Sequence, residues 1–227
     1  MGTVCLQGGG EFSPGCRGMD TDLVRRAAGR VVVTALAGAV GSDYATATAN
    51  GVRHFLSVGA SDVVGAPDAR EDPGGAAEVL RTARLLVLPG GSPGRLLEAL
   101  QQTPAGAAVA ELLADDGVVM GASAGAMVLC PWTVLPDRRG PHGPAVEPGL
   151  DLVPDLLVLP HWSGDAGRGG WLRSIELTVP DRVQVLGIPE ESGVLVHGGV
   201  LTAVGRSPSR LVGLDRDLTP GQSWEPA

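Results

Sequence analysis

Gly117-Val118-Val119-Met120-Gly121-Ala122-Ser123-Ala124-Gly125-Ala126-Met127-Val128-Leu129 is the stretch on which the reading of this chain turns. A short apolar run leads into Gly-x-Ser-x-Gly, and a second apolar run follows, so the pentapeptide falls between a strand and a helix. A serine hydroxyl is a poor nucleophile until its surroundings activate it. A tight strand-to-helix turn lifts Ser123 out of the sheet and points the N–H groups that follow toward a reacting carbonyl. Gly121 and Gly125 suit the turn because a Cβ at either site would crowd it. Ser123 is therefore the expected nucleophile of a hydrolase.

Working outward, short apolar runs alternate with Ala/Leu/Arg-rich stretches. Strands are expected at 4–6, 30–36, 56–58, 85–88, 156–159, 184–188, 193–196 and 200–204. Helices are expected at 20–29, 44–56, 72–83, 95–102 and 107–114. This alternation predicts an α/β fold built on a parallel sheet. The glycines at 8–10, 90–91 and 121–125 then fall at strand C-termini, where open α/β sheets place their sites. The Pro/Gly-rich stretch 131–148 reads as a surface loop or lid, and His197-Gly198-Gly199 as a hairpin turn. The chain, 1–227, reads as one domain with a polar tail at 214–227.

The bulk numbers narrow the function. Of 227 residues, 44% are hydrophobic, 19% charged and 3% aromatic, so a sizeable core of Val, Leu and Ala is expected. The net charge of −8 argues against a nucleic-acid partner, which requires a basic face. All 17 basic residues are Arg, which excludes any lysine-based catalysis. Cys5, Cys16 and Cys130 cannot all pair within the chain and read as reduced thiols. No Cys-x-x-Cys spacing, secretory leader or bilayer-length apolar run occurs. The expectation is a cytoplasmic protein with no membrane contact, no metal and no cofactor.

A serine nucleophile needs a base, and the base needs a carboxylate to orient it. Of His54, His142, His161 and His197, His161 follows a strand through Pro160 and is best placed to reach a neighbouring strand end. The others read as surface or core residues. Asp137, Asp155, Asp165, Glu190 and Glu191 are the candidate acids, and spacing does not choose between them. Gly90-Gly91, after an apolar strand, can supply one oxyanion N–H, with Ala124 supplying the other. Gly8-Gly9-Gly10 is not a full Gly-x-Gly-x-x-Gly fingerprint, and no acidic residue is placed for a ribose.

Several ordered pieces resemble the dipeptidase E and cyanophycinase family of serine peptidases. They are Gly8-Gly9-Gly10-Glu11, Leu85-Leu86-Val87-Leu88-Pro89-Gly90-Gly91-Ser92, Gly121-Ala122-Ser123-Ala124-Gly125-Ala126, Leu159-Pro160-His161-Trp162 and Leu186-Gly187-Ile188-Pro189-Glu190. The resemblance implies a three-layer, flavodoxin-like, mostly parallel sheet with helices on both faces, related to class I glutamine amidotransferases. It implies Ser123 as nucleophile, His161 as base, and Gly91 with Ala124 as oxyanion donors. Glu190 is preferred as the acid, with Asp137 as the alternative. Ser92-Pro93 stands where the family commonly has Asn, and Leu159-Pro160 where cyanophycinases have Asp-Gln. Those departures favour a small peptide substrate over the polymer cyanophycin, with Ser92, Arg168 and Arg173 as candidate substrate contacts. A homodimer is implied by resemblance alone. The rival readings are an esterase of α/β-hydrolase type and a catalytically silent amidotransferase-like binding module.

Overall fold

A computed structural model describes residues 2–165 and 169–225. The runs 3–7, 31–33, 85–88 and 118–122 are buried throughout, as expected of strands covered on both faces. They form β1 Thr3–Gln7, β2 Val31–Val33, β4 Leu85–Leu88 and β5 Val118–Ala122, with β3 Val63–Gly65 at one edge. These five strands are parallel. On the far side of β1 come β10 Ser192–His197, β11 Val200–Gly205 and β14 Ser223–Trp224, all paired antiparallel. The order across the sheet is β14-β11-β10-β1-β5-β4-β2-β3.

Side chains alternate across this sheet, so it has a core on each face. Cys5, Val31, Val33, Val87 and Met120 pack with Met19 and Leu23 of α1 (Arg17–Ala27) and Phe55 of α2 (Ser42–Ser57). Leu6, Val32, Leu86 and Val119 face the other way. They meet α3 (Pro73–Leu80), α4 (Pro93–Gln102), α5 (Ala105–Ala114) and α6 (Ala124–Leu129). The result is the expected three-layer α/β arrangement.

A second sheet lies beside the first. β8 (Leu156–Pro160) and β9 (Gln184–Ile188) run parallel, and β12 (Ser209–Leu211) and β13 (Arg216–Leu218) extend it in the order β13-β12-β9-β8. The β8–β9 register sets Pro160 opposite Ile188, so the residues just past both strand ends share one edge.

Three expectations are corrected, and one helix has no counterpart among them. Residues 56–57 are the last turn of α2, and the edge strand begins only at Val63, because Phe55 continues the buried helix face while Leu56 points to solvent. Residues 131–148 form a hairpin, β6 (Trp132–Gly140) and β7 (Gly143–Pro148), and not an irregular loop. A register shift between Leu135 and Arg139 leaves Pro136 outside the ladder, where its missing N–H costs nothing. A helix, α7 (Gly169–Glu176), had no clear sequence signal at its glycine-rich start. The polar stretch 214–225 is not a free tail: β13 pairs with β12, and Trp224 sits opposite Leu201. The β10–β11 hairpin turns on Gly198 and Gly199 at positive φ, as expected.

Candidate active site

Ser123 sits between β5 and α6 with φ 48° and ψ −107°, a conformation that a residue carrying a Cβ rarely adopts. Its N–H donates to Gln7 O at 2.9 Å, and its carbonyl accepts from Met127 N–H at 3.0 Å. The flanking glycines are required by contact. A Cβ on Gly121 would lie 2.5 Å from the Gly125 carbonyl carbon, and one on Gly125 would lie 2.2 Å from Leu88 O. Both neighbours are backbone, so neither can move aside.

His161 lies just past β8 with φ 51°. Its N–H donates to Gly8 O at 2.7 Å, while the next N–H, of Trp162, donates to Ile188 O at 3.0 Å. Thus anchored, the imidazole places Nε2 2.9 Å from Ser123 Oγ and Nδ1 2.9 Å from Glu190 Oε1. The side chains of His161 and Glu190 are 43% and 64% exposed, so the site is shallow and open to solvent. A cleft of about 870 Å³ lies elsewhere, lined by α1 and the β10–β11 hairpin.

The two adjacent acids divide. Glu190 faces His161. Glu191 accepts from Ser13 Oγ at 2.8 Å and pairs with Arg206 at 3.1 Å, while its N–H donates to Gly9 O at 2.9 Å. Asp137, on β6, accepts from Ser92 Oγ at 3.4 Å and is not the carboxylate on Nδ1. Asp155 pairs with Arg182 at 3.4 Å. The other histidines are engaged apart from Ser123 or lie on a hairpin. His54 Nε2 lies 2.7 Å from the buried Asp20 carboxylate, whose pKa burial raises. His197 meets Thr3 Oγ1 at 3.2 Å, and His142 is at the β6–β7 turn.

The loop after β4 abuts the nucleophile. A Cβ on Gly90 would lie 3.2 Å from Ser123 Cβ, and one on Gly91, whose φ is 140°, would lie 2.7 Å from Ala37 O. Ser92 N–H donates to that same Ala37 O at 3.0 Å, and Ser92 Oγ caps α4 by accepting from Arg95 N–H at 3.3 Å. Ser92-Pro93 is thus a helix-start pair: a side-chain acceptor followed by a residue with no N–H to satisfy. Arg173 is exposed on α7, which packs on the β6–β7 hairpin, and Arg168 lies outside the described residues.

The sequence assigns the loop 8–11 after the first strand no role of its own. The structure shows its place: the His161 ring lies over Gly9, and a Cβ there would sit 2.3 Å from Cε1. Gly9 also has φ 125°. Gly9→Ala is expected to displace the imidazole and lower kcat/KM about 100-fold. Comparison of kcat/KM with thermal stability checks this, since a loss that merely tracks unfolding would contradict it.

All three thiols are free and buried. Burial pushes Cys16 up to about 11 and Cys130 up to about 12, and raises Cys5 further still. Thiolate is the reactive form, so iodoacetamide at neutral pH should leave the folded protein unmodified and its hydrolytic rate unchanged. Intact-mass measurement before and after treatment checks this. Among the described residues no group of three His, Cys, Asp or Glu is arranged to hold a metal, and no helix is long and apolar enough to cross a membrane.

Comparison with known proteins agrees with this architecture. The family model for peptidase family S51 matches residues 21–204. A peptidase from an acI-B1 Actinobacterium superposes with a TM-score of 0.79 at 22% identity, over 99% of this chain and 97% of that one. A Listeria monocytogenes EGD-e structure described as a "Putative Peptidase E Protein" superposes with a TM-score of 0.63 at 17% identity, over 91% of this chain and 100% of that one. At these identities the likeness concerns the fold. Among curated proteins, no sequence matches this chain.

Proposed function

Because the chain belongs to peptidase family S51, we propose that it is a serine peptidase that cleaves an amide bond in a small peptide through an acyl-enzyme on Ser123. The observation that carries this reading is the line Ser123 Oγ–His161 Nε2, His161 Nδ1–Glu190 Oε1, with both contacts at 2.9 Å. His161 Nε2 takes the hydroxyl proton as Oγ attacks the carbonyl carbon. The resulting oxyanion is met by the N–H groups of Gly91 and Ala124. His161 returns the proton to the leaving amine as the C–N bond breaks. Water, activated by the same nitrogen, then releases the acyl group. Glu190 holds Nδ1–H and stabilises the imidazolium.

The order Ser, His, acid along the chain favours this reading over an esterase of α/β-hydrolase type, whose acid precedes its histidine. The apolar Leu159-Pro160 before the base favours a dipeptidase E-like substrate over cyanophycin. Arg168 and Arg173 are the candidate cations for a substrate carboxylate. The same reading takes the protein as cytoplasmic, without nucleic-acid or membrane partners, and as a homodimer.

A dipeptide library read by mass spectrometry tests the proposal, with Ser123→Ala as control and a fluorophosphonate probe to report on the nucleophile. Expected are cleavage of a subset of dipeptides and one probe adduct at Ser123. Ester cleavage without peptide cleavage would favour the esterase. Absence of both labelling and hydrolysis would mark a binding module.

A further inference from the structure

The loop that follows β1 touches three separate parts of the site. Gly8 O accepts from the His161 N–H, and Gly9 O accepts from the Glu191 N–H. The third contact comes from a side chain with no part in the mechanism above: Glu11 Oε1 accepts the Gly90 N–H at 2.7 Å. Glu11 is half-buried, and its neighbours are anchored. Gly10 and Phe12 both have left-handed backbone, at φ 68° and 66°. The Phe12 ring lies against His54 and Phe55, with centroids 5.3 and 6.2 Å away. The carboxylate is therefore presented from a fixed support.

From these contacts we infer that Glu11 is a positioning residue for the oxyanion loop, an inference that rests on the peptidase reading. By taking the Gly90 N–H, it fixes the Pro89–Gly90 peptide, the support of the next peptide unit, whose Gly91 N–H is left to face the substrate carbonyl. Its charge does not explain its presence. A Cβ on Gly90 would lie 2.7 Å from Glu11 Oε1 and 3.2 Å from Ser123 Cβ, which puts the carboxylate oxygen within about 6 Å of the Ser123 Cβ. A negative charge there opposes an oxyanion. What the site gains is an acceptor oxygen held in a fixed place. An oxyanion donor displaced by about 1 Å costs on the order of 100-fold in rate.

The two ideas separate by substitution. Glu11→Gln keeps an acceptor oxygen and removes the charge, whereas Glu11→Ala removes both. Glu11→Met keeps the side-chain length without a strong acceptor and serves if the alanine variant fails to fold. The expected result is a 10- to 100-fold loss of kcat for Ala and Met with KM unchanged within about twofold, and kcat for Gln equal to wild type or higher. The Gly90 amide, followed by two-dimensional NMR and hydrogen exchange, should lose protection in Ala and Met and keep it in Gln.

Three results overturn the inference: unchanged kcat with Gly90 still protected in the alanine variant, a rise in KM at constant kcat, or a loss in Gln as large as in Ala. If wild type neither cleaves peptides nor reacts with a fluorophosphonate, the peptidase reading has failed. The Gly90 exchange measurement then decides separately whether Glu11 holds the loop.

Discussion

Ser123→Ala should abolish peptide hydrolysis, with kcat/KM falling by roughly 10⁴-fold or more. The size follows from what the substitution removes. In the proposed mechanism Oγ is the atom that forms the acyl bond, and its hydroxyl lies 2.9 Å from His161 Nε2. What remains is a bound substrate beside oxyanion donors and a base with nothing to deprotonate but water. The fold should be untouched. Alanine keeps the Cβ, so the backbone at φ 48° is neither relieved nor strained further, and the bonds to Gln7 and Met127 are made by main-chain atoms. Steady-state kinetics and a melting curve on the same preparation check both halves. A variant that keeps full activity would remove Ser123 from the mechanism.

Glu190→Gln should lower kcat by about 100- to 10,000-fold, whereas Asp137→Asn should change it less than about threefold. A glutamine is nearly the shape of a glutamate, but it offers Nδ1 no negative charge. It can also turn its NH₂ toward Nδ1, and this favours the tautomer that keeps Nε2 protonated and useless as a base. The lower end of the range reflects the 64% exposure of Glu190, since water screens part of its charge. Asp137 touches Ser92 Oγ at 3.4 Å, so its loss perturbs the start of α4 and leaves the imidazole alone. Parallel kinetics on the two variants decide the acid. A large loss in Asp137→Asn with near-normal Glu190→Gln would transfer the role.

Much of the central sheet was legible because its signals are local. Apolar runs ending in glycine at Leu85–Leu88 and Val118–Ala122 are strands with turns, whatever they pack against. The hairpin at Gly198-Gly199 is likewise written in two adjacent residues with positive φ. The misread segments lack such signals. In β6 and β7 the prolines and charges hide a ladder that tolerates them at a register shift. In β13 and β14, strands of three and two residues are held by partners supplied from elsewhere in the chain.

The site divides the same way. Ser123 could be picked out because its turn is made by residues within two positions of it, and His161 because a strand and a proline precede it. Spacing does not choose among the five acids, since Glu190 and Glu191 have the same chemistry and adjacent positions, and Glu190 is preferred on the family resemblance alone. The parallel register of β8 and β9, with Pro160 opposite Ile188, brings Glu190 to Nδ1, while the left-handed backbone of Glu191, at φ 55°, accompanies its turn toward Ser13 and Arg206. Glu11 carries no local signal of its contact for a similar reason: its partner is the backbone of Gly90, 79 positions away.

The sequence by itself determined the strand–turn–helix around Ser123, the alternation that makes a layered α/β fold, and a short roster of residues able to do acyl chemistry. Each depends on side-chain shape and backbone freedom within a few residues. Tertiary structure alone decided which carboxylate meets His161, which strands leave the main sheet for a second one, and what the first-strand glycine loop holds in place. Those outcomes depend on strand register and on contacts between distant segments, and no local pattern encodes which of several equivalent groups will arrive.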